Sequence, residues 1–219
     1  MGLLDDLKKQ ADRVKSQQLD RETLHAGGLK TVEEKMQQAF GYLSDLLKQL
    51  AIIQPPSPFI YALPSVGDVA LTYADSFIDY RKKRIEDRDV FDSIRFYVRW
   101  QGPQPFAIEH DMPGTVQRIR EALLRYHLKF EETALRNQRG AVEGTRFDVE
   151  IVTVSDVRIQ ADHQLARLNM VVSNLLRLGR DELAVPAADV SEAFLDDLGR
   201  CLLGQPSRLR EYRVTPPSR

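Results

Sequence analysis

Cysteine is nearly missing from this chain: Cys201 is the only one in 219 residues. An intramolecular disulfide and a cysteine-based zinc cluster are therefore excluded. Cys201 lies in an apolar helical pattern, so it is expected to be a small buried hydrophobe rather than a reactive thiol. An excess of one charge sign is missing too, with 31 Lys and Arg against 32 Asp and Glu and a formal net charge of -1. Coating a nucleic acid by counterion release needs concentrated positive charge, so nucleic acid is not an expected partner. No apolar run reaches the roughly 20 residues that cross a bilayer, and no transmembrane segment is expected. Met1-Gly2-Leu3-Leu4-Asp5-Asp6 is acidic where a secretory leader is basic, and Asp6 stands where a myristoylation signal carries Ser or Thr. The expected location is cytoplasmic.

Signatures of chemistry are also scarce. No glycine-rich phosphate loop sits at a strand-to-helix junction, and regular βαβ alternation is missing, which argues against a Rossmann-type nucleotide enzyme. The histidines, His25, His110, His127 and His163, match no zinc spacing. In Glu109-His110-Asp111, neighbouring strand residues point to opposite faces. No catalytic residue, metal ligand or cofactor is read from this sequence.

What is present is a stripe. Leu29, Val32, Met36, Ala39, Leu43, Leu46 and Leu50 recur at alternating steps of three and four, the a/d seam of a coiled coil. Phe40 and Leu47 widen it. Such a seam needs a second apolar surface, which predicts self-association or docking on a helical partner. Upstream, Leu4, Leu7, Ala11 and Val14 form a shorter amphipathic stripe whose phase is lost through residues 15–28. Gly27-Gly28 predicts a break or kink there, and Thr31 with Glu34 has capping-box spacing for a restarted helix. Pro55, Pro56, Pro58 and Pro64 end that helix.

Beyond the prolines the period changes to two. Ile94, Phe96, Val98 and Trp100 alternate with Arg95, Tyr97 and Arg99, the pattern of a half-buried antiparallel strand. Strands are also expected over residues 69–80, with an extension to Ile85, and over 106–110, 128–136, 145–159 and 166–172. Val116, Ile119, Leu123 and Tyr126 share one helical face after Pro113-Gly114. A last helix reads from Asp189 and Glu192 as N-cap and N3, with Val190, Phe194, Leu198, Cys201 and Leu202 as its apolar stripe, Gly204 as terminator and Pro206 beyond.

The fold class is therefore α+β: an antiparallel β-sheet with helices packed on one face, preceded by an N-terminal helical, coiled-coil-like arm. Residues 1–53 are the arm, 54–67 a proline-rich connector, 68–206 the α+β domain and 207–219 a basic tail expected to fray.

Two candidate binding features remain. Arg81-Lys82-Lys83-Arg84, with Arg88 beyond, is the densest positive run and could hold phosphate or an acidic partner, although Glu86, Asp87 and Asp89 can neutralise it locally. Arg84 and Arg88 have the RxxxR spacing of cyclic-dinucleotide-binding PilZ domains, but the companion DxSxxG pattern is missing, so the chain is assigned to no family. The second feature is the sheet face carrying Arg95, Tyr97 and Arg99, joined by Arg167 and Asn169. It can stack bases or bind a polyanion, or be closed by pairing with Glu109, Asp148 or Glu150. The leading expectation is a non-enzymatic interaction or assembly protein that self-associates through its N-terminal helix. The alternative is a regulatory domain binding an anionic ligand, a nucleotide or nucleic acid, at a basic patch. An enzyme whose site is assembled only by the fold is the third.

Overall fold

The computed structural model describes the backbone of residues 3–85 and 87–214, and the side chains of 27–85 and 87–214. The fold is α+β. A six-stranded antiparallel sheet runs in the order β1 (Pro56–Leu63), β2 (Gly67–Ile85), β3 (Arg88–Gln101), β7 (Val152–Asp162), β8 (Arg167–Ser173) and β9 (Arg180–Pro186). A three-stranded sheet holds β6 (Val142–Glu150) between β4 (Ala107–His110) and β5 (Lys129–Arg136). The helices are α1 (Leu3–Ile53), α2 (Pro113–Arg125) and α3 (Glu192–Leu202). No helix among the described residues is long and apolar enough to cross a membrane.

The alternation read in the sequence builds the inner face of the large sheet. Ile94, Phe96, Val98 and Trp100 of β3, Val157 and Ile159 of β7, Leu168, Met170 and Val172 of β8, and Leu183 and Val185 of β9 are all buried. Trp100 satisfies its indole N–H by donating to Ser155 Oγ at 3.0 Å, and Ser155 in turn donates to the Asn174 carbonyl.

The helical stripe covers this face. Val32, Met36, Ala39, Leu43 and Leu50 are buried, as is Leu47, while Leu29 and Leu46 are half-buried. The surface they meet belongs to their own chain: α1 packs on β2, β3, β7 and α3. Phe40 sits edge-on to Tyr80, with ring centroids 4.8 Å apart, and near Phe91. Glu33 Oε2 accepts from the Phe91 backbone N–H at 2.7 Å. Tyr42 donates to Asp196 at 2.6 Å, tying α1 to α3. The seam read as a self-association surface therefore offers no free apolar face between Val32 and Leu50. An apolar sheet face within the same chain meets it at no cost in translational freedom.

Several boundaries differ from expectation. Gly27-Gly28 does not break the helix. Each glycine costs about 1 kcal/mol relative to alanine in a helix interior, and Gly28 faces the β7–β8 turn at ordinary van der Waals distance. A Cβ there would stand 3.4 Å from that of Ala166. Thr31 caps nothing; its hydroxyl donates back to the Gly27 carbonyl within α1. The short stripe Leu4, Leu7, Ala11 and Val14 lies outside the described side chains. The connector is partly a strand, since Pro56–Leu63 pairs with β2; prolines are tolerated there because β1 is an edge strand. The expected strand over 145–159 is two strands of different sheets, parted at Ile151. The cap of α3 is Ser191, whose Oγ accepts from the Phe194 N–H, and Asp189 lies in a preceding 3-10 turn. The tail is docked as far as Val214. Leu209 is buried, Arg213 pairs with the buried Asp181 at 2.6 Å, and the Val214 N–H donates to the Glu182 carbonyl. Gly204 is the helix terminator, at φ +70°, and a Cβ there would fall 2.5 Å from that of Pro58.

Two predictions follow from the α1 packing. Met36→Asp puts an unpaired charge at a fully buried position, so it should unfold the sheet rather than dissociate an oligomer; retention of wild-type far-UV circular dichroism and melting midpoint would contradict this. Burial, reinforced by the hydrogen bond to Asp196, raises the Tyr42 pKa from 10.0 to about 12. The raised folded-state value means that its contribution is intact below pH 10.0 and is lost as pH climbs to about 12. Tyr42→Phe should flatten the loss of unfolding free energy across that window, and an unchanged slope would show that Tyr42 is not coupled to folding.

Candidate functional site

The β2–β3 hairpin positions the basic run and, of the second feature, Arg95, Tyr97 and Arg99, whereas Arg167 and Asn169 lie on β8. It also runs past its neighbours. On one side β3 pairs with β7 only over Ser93–Gln101. On the other, β1 meets β2 over Gly67–Ala70 and ends with Pro56 opposite Thr72 and the Tyr73 N–H donating to the Pro55 carbonyl. The reason is local. α1 ends at Ile53, and the prolines that follow must turn the chain into β1, so β1 starts too late to cover the far half of β2. From Asp75 to Ile85, β2 has β3 on one side and no strand on the other among the described residues.

The basic run lies on this open edge, and its own hairpin neutralises most of it. Lys83 pairs with Asp92 at 3.1 Å and Arg84 with Asp87 at 3.1 Å. Lys82 Nζ lies 5.3 Å from the Phe91 ring centroid and 6.0 Å from that of Tyr80. Arg88 is exposed beside the turn, where Asp87 takes φ 60°. Arg81 is exposed and has no carboxylate partner among the described residues.

The outer face of the same hairpin holds the second feature in three rows set by strand register. Phe77, Tyr97 and Asp156 are opposite one another, then Asp79, Arg95 and Arg158, then Arg81, Ser93 and Gln160. Phe77 and Tyr97 stack, with centroids 5.8 Å apart. Arg95 clasps Asp156 through Nε and Nη2, at 2.9 and 2.7 Å, a hydrogen-bonded pairing that raises the arginine pKa. Arg99 pairs with Asp75. The acids that close this face are thus Asp156 and Asp75, whereas Glu109 and Asp148 lie in the small sheet, where both pair with Arg146. Glu150 is also there, beside Lys129. Arg167 pairs with Asp162. A shallow cavity of about 240 Å³ between Arg81, Arg95 and Arg158 is the polar recess of this face.

One backbone contact identifies which way the edge points. The Tyr80 N–H donates to Asp79 Oδ1 at 2.8 Å. The Gly102 N–H donates to the Ile151 carbonyl, so strand alternation turns Trp100, Val98, Phe96 and Ile94 of β3 toward β7, and Tyr80, opposite Ile94, faces away from β3. Backbone groups alternate sides along a strand, so Ser76, Ile78, Lys82 and Arg84 also present their N–H and C=O to the open side. Phe77 is 50% exposed and Tyr80 42% exposed beside them.

The histidines stand apart from this region or serve structure. His163 is buried with Nε2 2.9 Å from the Phe91 carbonyl, which fastens the β7–β8 turn to β3. His110 Nδ1 accepts from the Met112 N–H, ahead of α2. His127 lies in the turn after α2, at φ 55°, and the His25 side chain is outside the described residues. Among the described residues, no three His, Cys, Asp or Glu side chains converge as metal ligands do. No family model, curated protein or solved structure matches this chain.

Sequence reasoning missed Arg158 and the open edge. Arg158 was accessible to it, because Asp156, Arg158 and Gln160 alternate with Val157, Ile159 and Ala161 just as Arg95 and Arg99 do on β3. The edge was not, because it depends on where a different strand begins.

Proposed function

We propose that this chain is a non-enzymatic interaction protein that receives a second polypeptide along the free edge of β2. The observation that carries this reading is the Tyr80 amide, which faces away from β3 with only the Asp79 carboxylate to meet it. An unpaired strand edge is a template for strand addition, in which backbone hydrogen bonds supply affinity and alternate side chains supply selectivity. The α1 helix beneath the hairpin holds that edge in place through Phe40 and Glu33. The alternative, an anionic ligand at the basic run, has less support: Lys83, Arg84, Arg95 and Arg99 already have carboxylate partners. The reading takes the protein as cytoplasmic, in keeping with a single, buried, free thiol at Cys201.

The test is site-specific photo-crosslinking in cells, with benzoylphenylalanine at Phe77 in the full chain. The reading predicts a discrete adduct that disappears when Lys82→Pro is added. Lys82 presents its N–H to the open side, so proline there removes no hydrogen bond to β3. Absence of any adduct, or an adduct indifferent to Lys82→Pro, would contradict strand addition at this edge.

A further inference from the structure

Resting on that reading, we infer that the polypeptide added to β2 is the β2 strand of a second copy of this chain, antiparallel about a two-fold axis at Tyr80. The first ground is regularity. The irregularities of the β2–β3 pairing leave Ala74 as the extra residue on β2 and Asp92 as the extra residue on β3. Between Asp75 and Ile85 β2 is therefore unbroken, and its side chains alternate faces without a slip.

The second ground is register. A two-fold axis perpendicular to the sheet keeps each side chain on its own face, and can pass through either a hydrogen-bonded or a non-hydrogen-bonded pair. Among the latter, centring on Asp79, Arg81 or Lys83 sets a charge against its own copy, and centring on Phe77 sets Asp75 against Asp79. Among the edge-facing residues, Ser76 and Arg84 lie at the ends of the free length, which leaves Ile78, Tyr80 and Lys82. Centring on Lys82 sets lysine on lysine and Arg81 against Lys83. Centring on Ile78 uses only Asp75–Arg81, because Tyr73 is already bonded to Pro55. Centring on Tyr80 uses the whole free length from Asp75 to Ile85. It places Asp79 opposite the partner's Arg81 and Arg81 opposite the partner's Asp79, with no two like charges directly opposed. These are the positions between the hydrogen-bonded pairs, where facing side chains come closest.

The third ground is that the groups left over in the single chain are those this register consumes. The Tyr80 N–H would be taken by the partner's Tyr80 carbonyl. That releases the Asp79 carboxylate, which turns to the partner's Arg81, the edge arginine that has no carboxylate partner among the described residues. Phe77, half exposed in the single chain, would lie against the aliphatic stem of the partner's Lys83.

The experiment is light scattering on the full chain with charge-swapped variants. Wild type should have twice the chain mass. Asp79→Arg and Arg81→Asp each set two like-charged pairs across the axis, so each should weaken the dimer about tenfold or more while retaining wild-type circular dichroism. An equimolar mixture of the two variants should recover the dimer as a heterodimer, because both facing pairs then carry opposite charges. Lys82→Pro should be monomeric. A monomeric wild type, a dimer that Asp79→Arg leaves intact, or a mixture that stays monomeric would each overturn the inference. If the chain is monomeric yet Phe77 crosslinks to a different polypeptide, the second copy is excluded and the edge reading stands. If no adduct forms either, both are excluded.

Discussion

Burial of one helical stripe on one sheet face is the interaction on which the rest of this structure depends. Val32, Met36, Ala39, Leu43, Leu47 and Leu50 leave water together with the inner faces of β2, β3 and β7. At about 25 cal/mol for each Å² of apolar surface removed from water, this is the largest contribution α1 makes to the fold. It also explains features that look unrelated. Gly28 faces the β7–β8 turn, Tyr42 fixes α3 through Asp196, and Glu33 holds the Phe91 amide. Each is a polar or steric detail at the margin of the same apolar contact.

The same packing leaves a defect, and the proposed function is built on that defect. α1 occupies the chain as far as Ile53 and prolines follow at once, so β1 covers β2 only up to Thr72. The hairpin beyond is supported from below by Phe40 and sideways by β3, but its outer edge is bare. Natural sheets blunt such edges with charge and bulges, and this one carries Arg81, Lys82, Lys83 and Arg84. Most of those charges are spent within the hairpin. Asp79 and Arg81 are disposed differently, one on its own backbone neighbour and the other on none among the described residues. A purely protective edge has no need of an acid two places from a base around a central tyrosine; a self-complementary edge does.

The sequence made much of the fold legible because periodicity survives folding. The alternation of residues 94–100 is β3, the terminator at Gly204 ends α3, and the Leu29–Leu50 stripe is the buried side of α1. The partner of that stripe was not legible. A helix that packs on its own sheet and one that packs on another chain carry the same apolar spacing. The Thr31–Glu34 spacing misled for a related reason: a capping pattern marks a helix start only if the preceding residues are not already helical. In the candidate site, the arginines and Tyr97 were readable as residues sharing one face. Their carboxylate partners were not, because Asp75 and Asp156 come from two other strands and cross-strand pairing is set by register. The open edge was hidden most completely, since it is a statement about the length of β1 relative to β2.

The central claim is that the edge-facing amides of β2 are hydrogen-bonded between two copies. Residue-resolved amide hydrogen exchange on the full chain reads this directly at Ile78 and Lys82, whose N–H groups have no acceptor within the single chain among the described residues. The account predicts slow exchange at both, growing slower as protein concentration rises, with Phe77 and Asp79 protected by β3 at every concentration. Fast exchange at Ile78 and Lys82 that does not respond to concentration, alongside protected neighbours, would show an edge that is open in solution and contradict the account.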